Sequence, residues 1–192
     1  MTGNPRTRER ILAAAERLLA ERGPVSMGAI AQAAGVSRQA LYLHFDDRAE
    51  LLLATVDHID SSGPLAELRR WVSEAPDGLT AVARFVELHA EYSPHIIEVA
   101  RTIDAGRLTD PDLEAAWSDR MEGRRNACGR LIRWVAEDGA LDPCWSPDGA
   151  TDYLWSQTSL RVWDDLVNAR GWSRDRYVTT MQRTVRRALA GP

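Results

Sequence analysis

Between residues 26 and 48 the chain collects the side-chain types that can touch a nucleic acid: Ser26, Ser37, Arg38, Gln39, Tyr42, His44 and Arg48. Arginine can pair two-fold with the O6 and N7 atoms of guanine, and glutamine can do the same with adenine. Arg38 and Gln39 are adjacent and stand at the start of a short helical stretch, the end that enters a major groove. Tyr42 and His44 suit phosphate contacts or the thymine methyl. Ser26 and Ser37 precede helical stretches, where a hydroxyl and free backbone N–H groups favour phosphate. Arg48, at the start of a later helix, suits phosphate too. Arg6 and Arg8 can reach the phosphate backbone or the minor groove from a flexible N-terminal arm.

These residues need a scaffold, and the flanking sequence supplies one. Ile11, Leu12, Ala15, Leu18 and Leu19 fall on one face of a helix over 7–22. Gly23-Pro24 stops it. Ser26 caps a helix over 27–33, Ala34-Gly35-Val36 turns the chain, and Ser37 caps a helix over 38–44. Ala31 is small enough for two helices to cross there. Gly35 accepts the positive φ of a tight turn. Ile30, Val36, Leu41 and Phe45 fill the wedge, leaving Arg38, Gln39, Tyr42 and His44 outward. Asp47 and Glu50 make a capping-box-like start for a leucine-rich helix over 48–60.

The run Ala29-Ile30-Ala31-Gln32-Ala33-Ala34-Gly35-Val36-Ser37-Arg38-Gln39-Ala40-Leu41-Tyr42-Leu43-His44-Phe45, followed by Arg48 and Leu51-Leu52, resembles the TetR (tetracycline-repressor-like) family of regulators. The resemblance covers residues 7–60. Ala40 stands where threonine is usual in that family, and Asp46-Asp47 where a more mixed pair occurs. It implies a head over 1–47, built as a three-helix helix-turn-helix DNA-binding domain. It also implies a helical ligand-binding and dimerisation domain over 48–192. The 48–60 helix, read as the only covalent link between the two, becomes the lever between effector and DNA.

Charge is distributed accordingly. The 192 residues carry a net charge of −4, yet residues 1–45 hold six arginines against three acids, and the remainder 18 arginines against 25 acids. Only the head suits a polyanion. All 24 basic residues are arginine. With 27 alanines and 20 leucines against 12 valines and seven isoleucines, the composition favours helix. Periodic apolar runs and breakers predict nine or ten helices and no strand, an all-α chain. Among these are separate helices on either side of Ser93-Pro94, and a last pair over 148–169 and 174–190. No run is long and apolar enough for a membrane span, and no signal segment opens the chain, so the expectation is a cytoplasmic protein.

Beyond residue 60 the sequence speaks less clearly. All seven tryptophans lie past residue 70. Trp71, Trp117, Trp134 and Trp155, with the polar His89, Tyr92, Glu98 and Gln157, are candidate walls and contacts of a pocket. Acid excess and aromatics together suit an aromatic or cationic effector. Tyr177, Met181, Val185 and Ala188, and Tyr153, Leu160, Trp163 and Val167, form two stripes that could pair in a homodimeric four-helix interface. Cys128 and Cys144 show no metal-ligand or redox spacing. No phosphate-binding glycine loop, dinucleotide fingerprint, metalloprotease motif or serine-nucleophile elbow is present, and nothing calls for a cofactor. The expectation is a ligand-responsive, palindrome-binding transcriptional repressor rather than an enzyme. The alternative is a helical binding protein or enzyme that keeps its head as scaffold.

Overall fold

The computed structural model describes residues 4–22, 25–61 and 63–190. Among them there is helix and no strand: α1 (Pro5–Arg22), α2 (Met27–Ala33), α3 (Arg38–Tyr42), α4 (Arg48–Ser61), α5 (Gly63–Ser73), α6 (Gly78–Gly106), α7 (Pro111–Glu137), α8 (Pro147–Gln157), α9 (Leu160–Trp163) and α10 (Arg174–Ala190), with a π-helical segment over Asp164–Ala169. The Gly23-Pro24 stop lies outside the described residues. No helix among those described is long and apolar enough to cross a membrane.

The chain packs as two units, 1–62 with 94–118, and 63–93 with 119–192. The first is organised by α1, whose Ile11, Leu12, Ala15, Leu18 and Leu19 are all buried, as the helical period predicts. They share that unit's interior with Ile30 and Ala31 of α2, Leu41 of α3, Phe45, and Leu51, Leu52, Val56 and Ile59 of α4. Burying each large aliphatic contributes about 1.5–3 kcal/mol, which is what holds two helices as short as α2 and α3 in place. The second unit closes around Val82, Val86, Ala90, Cys128, Ile132, Val135, Leu154, Trp163, Tyr177, Met181, Val185 and Leu189.

Three expectations change. First, the two helices expected around Ser93-Pro94 are one helix, α6, with Pro94 inside it. Proline removes one backbone hydrogen bond, but burial of Ala90, Ser93, Ile96 and Ile97 on either side of it keeps the helix intact. Second, the single helix expected over 148–169 is broken at Thr158. The Thr158 hydroxyl turns back onto the Leu154 carbonyl (2.8 Å), and Ser159 caps α9 by accepting from Val162 N–H (3.3 Å). The chain then widens into the π-helical segment, closed by Arg170 N–H donating to the Asp165 carbonyl (3.0 Å). Third, no free arm carries Arg6 and Arg8. Asn4 accepts from Arg6 N–H (3.0 Å) and Pro5 starts the helix, so both arginines lie in the first turns of α1.

Candidate nucleic-acid interface

The wedge of α2 and α3 is built by its caps. Ser26 Oγ accepts from Ala29 N–H (3.2 Å) and Ser37 Oγ from Ala40 N–H (3.0 Å), each from an extended backbone. Both serines are therefore occupied as N-caps, with the hydroxyl hydrogen left for an outside acceptor. Between them the chain reverses at Gly35, whose φ is +64°. Arg10 of α1 reaches across this turn: its Nη2 donates to the carbonyls of Ala34 (2.5 Å) and Gly35 (3.2 Å). Sequence reasoning missed this brace. Its only signal was an arginine one residue before the first buried position of α1.

The α3 helix is a single turn and a half, Arg38–Tyr42, shorter than the expected 38–44. His44 N–H and Phe45 N–H both bond the Leu41 carbonyl (3.0 and 3.1 Å), which ends the helix and turns Phe45 inward. Leu41 and Phe45 are the buried anchors, four residues apart, and Val36 is half-buried. That spacing sends Arg38, Gln39, Tyr42 and Leu43 outward; Tyr42 is 49% and Leu43 72% exposed. Leu43 was not anticipated as a surface residue, although its place between the two inward anchors was a legible signal. His44 is half-buried, its ring 6.4 Å from that of Phe45. Arg8 lies over the other side of the interior, its guanidinium 5.2 Å from the centre of the Phe45 ring.

Arg48 is exposed at the first residue of α4. Just before it the expected capping box forms in a variant way: Asp47 accepts from Glu50 N–H (2.8 Å), and the Glu50 carboxylate accepts from Asp46 N–H (2.6 Å). The first unit thus exposes Arg6, Arg38, Gln39, Tyr42, Leu43 and Arg48, while Leu41 and Phe45 turn inward.

Residues 11–55 match the family model described as bacterial regulatory proteins, tetR family. That segment of the chain is similar to the TetR family. The chain is 33% identical over 110 residues to the HTH-type transcriptional repressor LfrR of Mycolicibacterium smegmatis, an alignment covering 57% of each chain. The chain thus spans little more than half the length of that relative. In fold it is similar to a transcriptional regulator from Saccharomonospora viridis solved in complex with choline (19% identity, 98% of this chain and 100% of that one, TM-score 0.83). It is also similar to LfrR from Mycobacterium smegmatis solved in complex with proflavine (24% identity, 96% of each chain, TM-score 0.64).

The residues proposed from sequence for a pocket fall in both units. Glu98 and Trp117 belong to the first, where Glu98 pairs with Arg101 and Trp117 carries the guanidinium of Arg107 on its face at 5.5 Å. Trp71, His89, Tyr92, Trp134, Trp155 and Gln157 belong to the second. Trp71 stands at the surface of α5 under Arg84, 4.7 Å above its ring, and Trp134 packs on the core. Tyr92 and Gln157 are half-buried. His89 and Trp155 share a neighbour that sequence reasoning did not single out, Arg124 of α7. Its guanidinium stacks on Trp155 at 4.5 Å, and its charge acts on His89.

His89 is buried, with Nε2 3.4 Å from the Ser159 carbonyl and Nδ1 3.2 Å from Ser93 Oγ. A carbonyl can only accept, so Nε2 carries the ring hydrogen. Burial, with the Arg124 charge second, pushes this histidine down to about 4, so it is neutral at pH 7. Burial likewise pushes the Cys128 thiol up to about 11, which makes it an inert core thiol; Cys144 is exposed and free. The two apolar stripes expected at a dimer interface are correspondingly reassigned. Tyr177, Met181, Val185 and Trp163 are buried in the chain's own core, and Tyr153, Leu160, Val167 and Ala188 are half-buried.

Proposed function

We propose that the chain is a homodimeric, ligand-responsive transcriptional repressor that binds a palindromic operator. The observation that carries the reading is the outward set Arg38, Gln39, Tyr42 on a helix anchored by Leu41 and Phe45. Arg38 and Gln39 read base edges from the first turn of α3. Tyr42 and Leu43 offer apolar contact to a thymine methyl. The capping hydroxyls of Ser26 and Ser37, with Arg48 at the start of α4, hold phosphates. Arg6 and Arg8 act from the first turns of α1, as phosphate contacts rather than as a minor-groove arm. His44, half-buried against Phe45, orients the end of α3.

Two-fold symmetry sets the two α3 helices about 34–36 Å apart, one turn of DNA. Dimer contacts run through the outer faces of α8 and α10. An effector in the second unit favours one separation of the heads over another, with a coupling of about 1–3 kcal/mol between ligand and DNA. The α4 helix, which leads out of the head, is the covalent route for that coupling.

Selection of bound duplexes from a randomised pool tests the reading. Enrichment of an inverted repeat is expected. Failure to retain any duplex in dilute buffer overturns it and favours the alternative, a helical binding protein or enzyme keeping its head as scaffold.

A further inference from the structure

The break between α8 and α9 turns backbone carbonyls into the second unit's interior. Arg124 Nη1 donates to two of them, those of Trp155 (2.6 Å) and Thr158 (3.2 Å). Neither Nε nor Nη2 is a fully buried atom without a partner, so the remaining edge of the guanidinium is open to an incoming acceptor. The guanidinium is largely desolvated, and no carboxylate is among the groups whose charge acts on it; those groups are Cys128 and Tyr177. Both are held protonated and neutral by burial, and the nearby His89 is neutral as well. Two other arginines of this unit are paired, Arg125 with Asp152 (2.8 Å) and Arg174 with Glu91 (3.1 Å). Arg124 is therefore a cation facing the interior with no counter-charge.

A second, independent observation points to the same place. The side chain of Tyr177 is fully buried, and its hydroxyl has no hydrogen-bond partner. It is the sole buried side-chain N or O atom of this kind among the described residues. Its ring is bounded by Trp163 (4.8 Å between centroids) and His89 (6.2 Å). A buried hydroxyl without an acceptor, beside a largely desolvated cation without a paired carboxylate, is a costly arrangement that a bound acceptor of negative charge relieves on both counts. The remaining edge of a guanidinium and one hydroxyl offer a small number of donors and one unit of charge, which matches a single carboxylate. Trp155, stacked on that guanidinium, and Trp163, against the Tyr177 ring, are the apolar surfaces nearest these two groups.

We propose that the effector of this chain is an amphipathic monocarboxylate, its carboxylate seated between the Arg124 guanidinium and the Tyr177 hydroxyl and its apolar body against Trp155 and Trp163. This replaces the cationic effector suggested by composition: surface acids dominate the net charge, but the charge facing the interior site is positive. The word effector rests on the ligand-responsive reading above; the site itself does not.

The test is calorimetric titration and thermal melting of the full chain with two charge-matched pairs, indole-3-acetate against tryptamine and decanoate against decylamine. At least one acid is expected to bind and raise the melting temperature, with its amine partner inert. Arg124→Met is expected to weaken the acid by about tenfold to a hundredfold. Tyr177→Phe is expected to weaken it by about tenfold, without lowering the melting temperature of the unliganded chain, because it removes an orphaned polar group. Should Arg124→Met fail to fold, Tyr177→Phe and the charge-keeping Arg124→Lys carry the test. Binding of neither acid, equal or tighter binding of the amines, or acid affinity unaltered in Tyr177→Phe overturns the proposal. Acids that bind through Arg124 yet leave DNA retention unchanged uphold the site and remove only the ligand-responsive reading.

Discussion

The guanidinium of Arg38 lies against the backbone of Gly28, in space that a Cβ at position 28 would occupy. The first residue of α3 thus rests on the second residue of α2, and the resting place exists because residue 28 has no side chain. Gly28→Ala is expected to displace the guanidinium. The exchange of glycine for alanine within α2 stabilises the helix by about 0.5–1 kcal/mol, so the fold is not weakened. DNA affinity is expected to fall toward that of Arg38→Ala, because the arginine loses its preset position. Thermal melting beside DNA titration checks this; unchanged affinity in Gly28→Ala would show that the resting place has no part in recognition.

The turn of the wedge depends on Gly35 and Arg10 together. Gly35 has φ +64°, and a Cβ there would also crowd Arg10 Nη2 at 3.0 Å. Gly35→Ala is expected to destabilise the first unit by about 1–2 kcal/mol, the cost of the left-handed region for an L-residue. Arg10→Met, which keeps the stem but loses both carbonyl contacts, is expected to lower the denaturation midpoint too. Urea unfolding followed by circular dichroism reads both; a parental midpoint in Gly35→Ala would contradict the strained turn.

Base reading and phosphate holding separate under salt. Arg38→Ala or Gln39→Ala is expected to cost about 1–3 kcal/mol and to relax preference at one base pair. Arg6→Ala is expected to weaken all duplexes alike and to reduce the salt slope by about one unit. Titrations against a selected site and its single-base variants, at several salt concentrations, distinguish these. Uniform loss in Arg38→Ala would move that residue to the phosphate class.

His89 makes stability fall in mild acid. Folding lowers it from its ordinary 6.5 to about 4, chiefly by burial and then by the Arg124 charge. Between those values the unfolded chain binds a proton that the folded chain refuses. Stability is therefore undiminished by this group above pH 6.5 and is lost as pH drops through the window, by about 3 kcal/mol for the full shift. His89→Gln is expected to flatten the pH dependence between 6.5 and 4 relative to the parent, whatever its effect at neutral pH. Unfolding free energies across that range decide it; parallel curves would place the neutral histidine elsewhere.

What could be read in the residues was whatever local geometry dictates. The apolar face of α1, the caps at Ser26 and Ser37, the glycine turn and the buried pair Leu41 and Phe45 all follow from helical period and backbone sterics over a few neighbours. The outward set Arg38, Gln39 and Tyr42 follows with them. The stripe Tyr177, Met181, Val185 was equally visible, but its destination was not. Periodicity shows that a helix has an apolar face, not whether that face meets its own chain or another.

Tertiary packing settled the rest. Pro94 stays within a helix because burial on both sides outweighs one lost hydrogen bond. The 148–169 stretch breaks because the Thr158 hydroxyl turns back onto Leu154 and Ser159 caps a new helix. Arg124 carries no motif; it becomes notable only when folding strips its water, binds it to the carbonyls of Trp155 and Thr158 from 31 and 34 residues away, and leaves Tyr177 beside it without an acceptor. Sequence alone determined the helices of the head and its outward face, because both are local. Which polar groups end up without water or partner was decided by the fold, because desolvation depends on every element packed around a group.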